Sequence, residues 1–404
     1  MYGKFNVHQL LENADTIFEM IDNHQGENNE HYYKKLICAL GVKSPEASVK
    51  RLNMKKLILA PYVRIGFLDG ILHFGFGSLR QLIVEKEMQN CLLDAAVLFK
   101  KPNCMEQVSS FLEKAGHDLG TIQDALKILE KNFLIPEGSY NRDDRHSRSF
   151  LFYSLSGAEI EKIQDNISNK VVAIVGCGGI GNVIGVLLAT AGVGKFILVD
   201  NDQIELSNLS RQIMFKETDC GEFKTKILAD ALKERTSSVK INEVREFIDE
   251  KNINCLKNAD FILISGDQEN VLDLINAFAV KHNIPFMNVG YIEDIAVWGP
   301  LVIPGKSGCY QCKQHLVNYD SLSRDQINKC KEINSEYQAP SIGPINMMAS
   351  SFAALDIFKL LGNFGQIQSL NARIGIWSHN LQIEKQDYNL NPSCEVCGSL
   401  QKTT

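Results

Sequence analysis

Residues 171–190, "VVAIVGCGGIGNVIGVLLAT", carry the reading of the fold. The apolar, β-branched run "VVAIV" leads into a glycine turn, and an apolar segment that reads as a buried helix follows. Gly176, Gly178 and Gly181 form a G-x-G-x-x-G turn with Gly179 inside it. Glycines let the backbone approach a phosphate, and the helix N-terminus offers that phosphate unpaired N–H groups. The next apolar run, "KFILVD", ends in Asp200, about 20 residues on, where an acid that binds ribose hydroxyls belongs. On these residues alone NAD, FAD and ATP fit equally well.

Strand and helix patterns keep alternating outward from the loop, through "INEVREFI", "DFILISGD" and "PFMNVG". Residues 170–404 are therefore expected to form an α/β, doubly wound, Rossmann-like domain with a largely parallel sheet. A long apolar helix in "GPINMMASSFAALDIFKLLG" and a strand in "ARIGIWSHNLQIEK" complete it. Before it, residues 137–169 read as a polar connection with a short helix. In residues 60–135, "YVRIGFL", "ILHFGFG" and "LRQLIVE" read as short strands, the first two joined by the hairpin signal Asp69-Gly70. Three helical patterns follow, making a small α+β unit that is as suited to gripping an extended peptide as to no ligand at all. Residues 1–55 read as a separate helical extension.

The 404 residues, 45% hydrophobic and 22% charged, suit a globular protein of two or three domains. A net charge of −6 argues against a nucleic-acid partner held by phosphate neutralisation. No apolar run is expected to reach the roughly 20 residues of a membrane helix. Glu12, Asp15, Glu19 and Asp22 interrupt the N-terminal apolar positions, against a signal peptide. Two C-x-x-C pairs among eleven cysteines favour a reducing cytoplasm and one metal site over disulfides.

Phosphoryl chemistry needs cations for developing negative charge and a carboxylate for Mg²⁺. Arg211, in "SNLSRQ", and Lys224, in "GEFKTK", can supply the first, and Asp267, in "ISGDQEN", the second. Each has a plainer reading: Arg211 as a surface arginine, Asn208 as a turn residue, Asp267 as the cap of the following helix. Their joint order behind a glycine loop favours the functional one. Cys309 and Cys312 in "GCYQC" pair with Cys394 and Cys397 in "SCEVCG" as four thiolates for a closed, structural Zn²⁺ site. Cys330 reads as a cysteine in a polar loop, between Lys329 and Lys331.

Taken together, "GCGGIG", Asp200, "SNLSRQ", Lys224, Asp267 and the paired C-x-x-C resemble the ThiF/MoeB superfamily, which activates carboxylates with ATP and includes the ubiquitin-activating enzymes. "NVGYIEDIAVWGPLVIPGKSGCYQC" and "RIGIWS" are similar to its MccB-like branch, the peptide nucleotidyltransferases of microcin C-type antibiotic biosynthesis. The resemblance covers roughly residues 56–400 and implies a nucleoside triphosphate, ATP or CTP, on the glycine loop. It makes Gly176, Gly178, Gly179 and Gly181 the phosphate loop and Asp200 the ribose ligand. Asn208, Arg211 and Lys224 would contact phosphates, and Asp267 would hold Mg²⁺.

By the same resemblance, residues 56–136 form a winged-helix-like peptide clamp, 137–169 a linker with an arginine motif, and 170–404 the adenylation domain with its zinc site. The motif reads "RHSR", with His146 replacing an aromatic residue and Arg148 as the arginine that reaches the partner subunit's nucleotide. A homodimer with shared active sites follows. The implied substrate is a short peptide ending in asparagine, whose activated carboxyl closes to a succinimide and is then joined to a nucleotide through nitrogen. The alternative is adenylation of a ubiquitin-like or sulfur-carrier protein, with Cys330 as thioester nucleophile.

Overall fold

Two units, residues 1–147 and 148–404, divide the chain. The computed structural model describes residues 55–75, 77, 79–137, 143–157, 160–266, 268, 270–312, 322–335, 337 and 339–398. The helical extension expected in residues 1–55 lies outside them, apart from Lys55.

In the first unit, strands β1 (Ile65–Leu68), β2 (Ile71–Phe74) and β3 (Gln81–Ile83) pair antiparallel in that order. Leu68 pairs with Ile71, so Asp69-Gly70 is a two-residue turn. Both turn residues have positive φ, 49° and 76°, the conformation this dipeptide tolerates best. Helices α1 (Lys86–Leu98), α2 (Met105–Lys114) and α3 (Leu119–Lys131) follow. Leu72 and Phe74 of β2 pack against Leu92, Leu112, Ile122 and Leu129 from the helices and Phe99 at the end of α1. The buried Gln89 amide donates to the carbonyls of Gly70, Ile83 and Val84, which fixes α1 to the sheet.

The second unit begins in α4 (Ser147–Ser154) and continues through α5 (Ile160–Ser168), two helices where one was expected. Its eight-stranded sheet contains β4 (Val171–Val175), β5 (Lys195–Val199), β6 (Lys240–Val244), β7 (Phe261–Ile264) and β8 (Phe286–Ile292) as a parallel half. The other half is antiparallel: β9 (Ile295–Val302), β10 (Ala372–Trp377) and β11 (Ile383–Asp387). The order is β11-β10-β9-β8-β7-β4-β5-β6. Alternate residues of β4 face opposite layers. Val172 and Ile174 meet α6 (Gly181–Thr190), α7 (Lys224–Arg235) and α10 (Gly343–Gly362), while Ala173 and Val175 meet α8 (Val271–His282).

Three readings change. "ARIGIWSHNLQIEK", read as one strand, is the hairpin β10–β11. "RDQINKCKEINSEY", read as a loop, forms α9 (Arg324–Asn334), started by a reciprocal Ser323–Gln326 cap. Finally, α10 spans 20 residues and is apolar enough by length and composition to cross a membrane, against the run-length expectation. It instead packs in the core, with Asp356 buried and accepting from the Gln368 and Ser369 N–H groups and the Ser369 hydroxyl.

Candidate active site

The strand order turns outward on both sides of β4, and the loops after β4, β5 and β7 meet there, where an open α/β sheet takes its ligand. Gly176 has φ 92°, and a Cβ on it would stand 2.4 Å from the Gly266 nitrogen. At Gly181 a Cβ would stand 1.9 Å from the Gly176 carbonyl oxygen. Both contacts are with backbone, so the loop closes on itself only with glycine at these positions.

Asp200 holds that loop from the neighbouring strand. Its Oδ2 accepts from the Cys177 N–H at 2.7 Å, and its Oδ1 from the Asp202 N–H at 2.9 Å. Burial raises its pKa, opposed by these N–H groups and by Lys224. Its carboxylate also lines a cleft with Val175, Gly176, Asp202, Phe247 and Gln268.

Lys224 is buried at the first residue of α7, where the helix dipole opposes a cation. Its Nζ lies 2.7 Å from Asp202 Oδ2, and Asp202 remains half exposed. The two are brought together by backbone pairing of Gln203 with Phe223. Asp202 carries no signal in the sequence, because its importance comes only from that pairing. Asn208 is buried, and its Oδ1 accepts from the Glu205 N–H at 3.1 Å. Arg211 folds back on the same turn, its Nη1 donating to the Ser207 carbonyl at 3.2 Å.

Sequence reading also missed two buried amides against the loop. Gln212 lies beside Gly178 with its Oε1 unpartnered among the described residues, and Asn346 of α10 reaches Gly179. Asp267 lies outside the described residues. The N-cap residue of α8 is Asn270, at φ 61°. Arg148 is exposed on α4 and is not among the described residues that line the cleft. Cys330 is half-buried on α9.

Cys309, Cys312, Cys394 and Cys397 converge, their Sγ atoms all within 4.8 Å of one another. Measured separations are 3.6 Å (Cys309–Cys394), 3.3 Å (Cys312–Cys397) and 4.0 Å (Cys309–Cys312). Thiolates about 2.3 Å from a tetrahedral Zn²⁺ would lie roughly 3.8 Å apart, so this donor set fits that ion. Burial first, with the Cys312 thiol adding to it, pushes the Cys397 thiol up to about 11. A bound cation would favour the thiolate form of such a cluster. Backbone N–H groups of Cys309 and Asn391 point at Cys312 Sγ at 3.3 and 3.4 Å. The fully buried Asn276 of α8 donates to Cys309 Sγ at 3.7 Å and accepts from the Tyr310 N–H at 3.0 Å. Its place in the middle of an apolar helix gave no sign of that role. With no open ligand position, such a metal holds structure and takes no part in chemistry.

A model of the ThiF family matches residues 146–396. Among solved structures, Escherichia coli MccB with MccA-N7isoASN is 37% identical, with a TM-score of 0.79, over 85% of this chain and 99% of that one. MccB has also been solved with ATP. Among curated proteins, the molybdopterin-synthase adenylyltransferase of Escherichia coli (strain K12) is 28% identical over 58% of this chain and 90% of its own. The adenylyltransferase and sulfurtransferase MOCS3 of Caenorhabditis briggsae is 29% identical over 63% of this chain, which spans only 60% of that protein. A glycine loop on a doubly wound sheet, the matched family model and adenylyltransferase relatives lead to one conclusion: the chain belongs to the ThiF family and is a nucleotidyltransferase.

Proposed function

We propose that this enzyme nucleotidylates the C-terminal residue of a short peptide, in the cytoplasm, in a microcin C-like biosynthetic route. The observation that carries this reading is the extent of the likeness. The match to MccB takes in more of the chain than the second unit holds, whereas the ThiF model begins at residue 146. The first unit is thus part of the MccB likeness. Its apolar Phe67, Leu68, Leu82 and Val84 are exposed on and beside the outer strands β1 and β3, which suits residues 56–136 to clamp an extended peptide.

In this reading the triphosphate of ATP or CTP lies along the glycine loop and the N-terminus of α6. Lys224 shares its charge between Asp202 and the phosphates, Arg211 leaves the Ser207 carbonyl to join it, and Asn208 completes the contact. The peptide carboxylate attacks the α-phosphorus, the bond to the β-phosphate oxygen breaks, and pyrophosphate leaves with its charge neutralised by these cations. Where the peptide ends in asparagine, its side-chain amide nitrogen attacks the activated carboxyl and expels the nucleoside monophosphate, closing a succinimide. Loss of the nitrogen's proton and attack on a second α-phosphorus give the P–N bond and a second pyrophosphate. Asp267 is assigned to Mg²⁺ and Arg148 to the partner subunit's nucleotide, in a homodimer. The four cysteines hold a structural Zn²⁺.

The names of the curated relatives support a second reading, adenylation of a ubiquitin-like or sulfur-carrier protein; in that reading Cys330 on α9 is the thioester nucleophile. Synthetic Asn-terminated peptides incubated with enzyme and ATP or CTP separate the two. Mass spectrometry should show a peptide carrying one nucleoside monophosphate, lost in Asp267→Ala and retained in Cys330→Ser. Adenylation of a purified sulfur-carrier protein alone, with a thioester on Cys330, would establish the second reading instead.

A further inference from the structure

A cavity of about 580 Å³ opens beside the first turn of α10. Tyr337, Pro340, Ile342 and Ile345 give it apolar walls, and Glu293 and Asp294, at the tip of the β8–β9 hairpin, give it two carboxylates. It lies against the same helical turn as the phosphate loop. Gly343, next to Ile342, has its Cβ position 3.9 Å from Arg211 Cα, and Asn346, next to Ile345, reaches Gly179.

The charges here run against the needs of the neighbouring site. A nucleoside triphosphate is strongly anionic, and carboxylates placed near it add repulsion that only a cation offsets. Among the described residues no cation pairs with Glu293, while Asp294 accepts from the Ser378 hydroxyl at 3.4 Å and lies 3.1 Å from His379 Nδ1. Walls of aliphatic and aromatic carbon with carboxylates at one end match a side chain that has an apolar stem and a charged head, which is the build of lysine and arginine. An extended chain advances about 3.3 Å per residue. A polypeptide whose carboxylate lies at the glycine loop, and whose chain leaves over the first turn of α10, would bring a side chain from its last few residues to this cavity.

We infer that this cavity is a specificity subsite for a lysine or arginine side chain close to the reacting C-terminus. The inference rests on the proposal that the substrate is a polypeptide with a C-terminal carboxylate. The test uses fluorescein-labelled Gly/Ala peptides ending in Asn, with Lys, Ala or Glu moved through the positions before the terminus. Binding to the full-length enzyme is followed by anisotropy. At one position Lys should bind about tenfold tighter than Glu, and Glu293→Lys should reverse that order. Glu293→Gln should only level it, and serves where the charge reversal unfolds the protein. Charge-blind binding at every position, no binding of any peptide, or a preference that survives Glu293→Lys in a folded protein would overturn the inference. Anisotropy needs no turnover, so the two ideas fail separately. Charge-selective binding without nucleotidylation sinks only the proposed function, and nucleotidylation without charge preference sinks only the subsite.

Discussion

Lys224 is a cation placed where both burial and the helix dipole oppose it, and Asp202 is the counter-charge that makes the placement tolerable. Removing that partner should show which of the two burdens matters in the free enzyme. Asp202→Ala is expected to lower stability by about 1–2 kcal/mol in urea unfolding, less than a fully buried pair would cost because Asp202 is half exposed. Saturating nucleotide should recover most of the loss, since phosphate oxygens replace the missing carboxylate. A variant as stable as wild type without nucleotide would show that Lys224 reaches water. The residues legible in the sequence were those whose meaning is local. The glycines report a turn, and C-x-x-C reports two thiols on one knuckle. Asp202, Gln212, Asn346 and Asn276 meet their neighbours in the site only through tertiary packing, and no spacing along the chain announces it.

Among the elements, the β-α alternation was legible because each crossover helix imposes a long apolar spacing between short apolar runs. The antiparallel half was read poorly. β9 is buried along nearly its whole length, so it has no alternation to mark it as a strand. α9 has no buried residue and hence no apolar stripe to mark it as a helix. One element carries a link that neither pattern revealed: α8 holds the Cys309–Cys312 knuckle through Asn276, and Gln311 of that knuckle donates to Asp273 one turn earlier at 3.0 Å. Asn276→Ala should weaken zinc retention about 10–100-fold in chelator competition, as loss of a ligand's supporting hydrogen bond does elsewhere. Cys394→Ser should go further, releasing zinc and lowering the melting temperature. Elemental analysis of the wild type should give about one zinc per chain. Full zinc in Cys394→Ser would exclude the four-thiolate site.

At the scale of the whole molecule, the proposed sharing of Arg148 between subunits makes a claim that no single chain can satisfy. Arg148→Ala and Asp267→Ala homodimers should each be nearly inactive, because an arginine supplied in trans contributes about 10³-fold or more to phosphoryl transfer. Heterodimers of the two should regain substantial activity, having one site with both residues intact. Purified heterodimers that stay inactive would place Arg148 within its own site or outside the chemistry. The sheet order was legible only as a class, since the sequence shows which segments alternate but not which neighbour each strand finds. That long-range closure also has a history in time. Cys312 and Cys397 are 85 residues apart, which a ribosome takes about 4–17 s to make at roughly 5–20 residues per second. Through that interval the first thiol pair is on a nascent chain with half of a coordination shell. Translation therefore sets the earliest moment at which a metal could close on all four thiols.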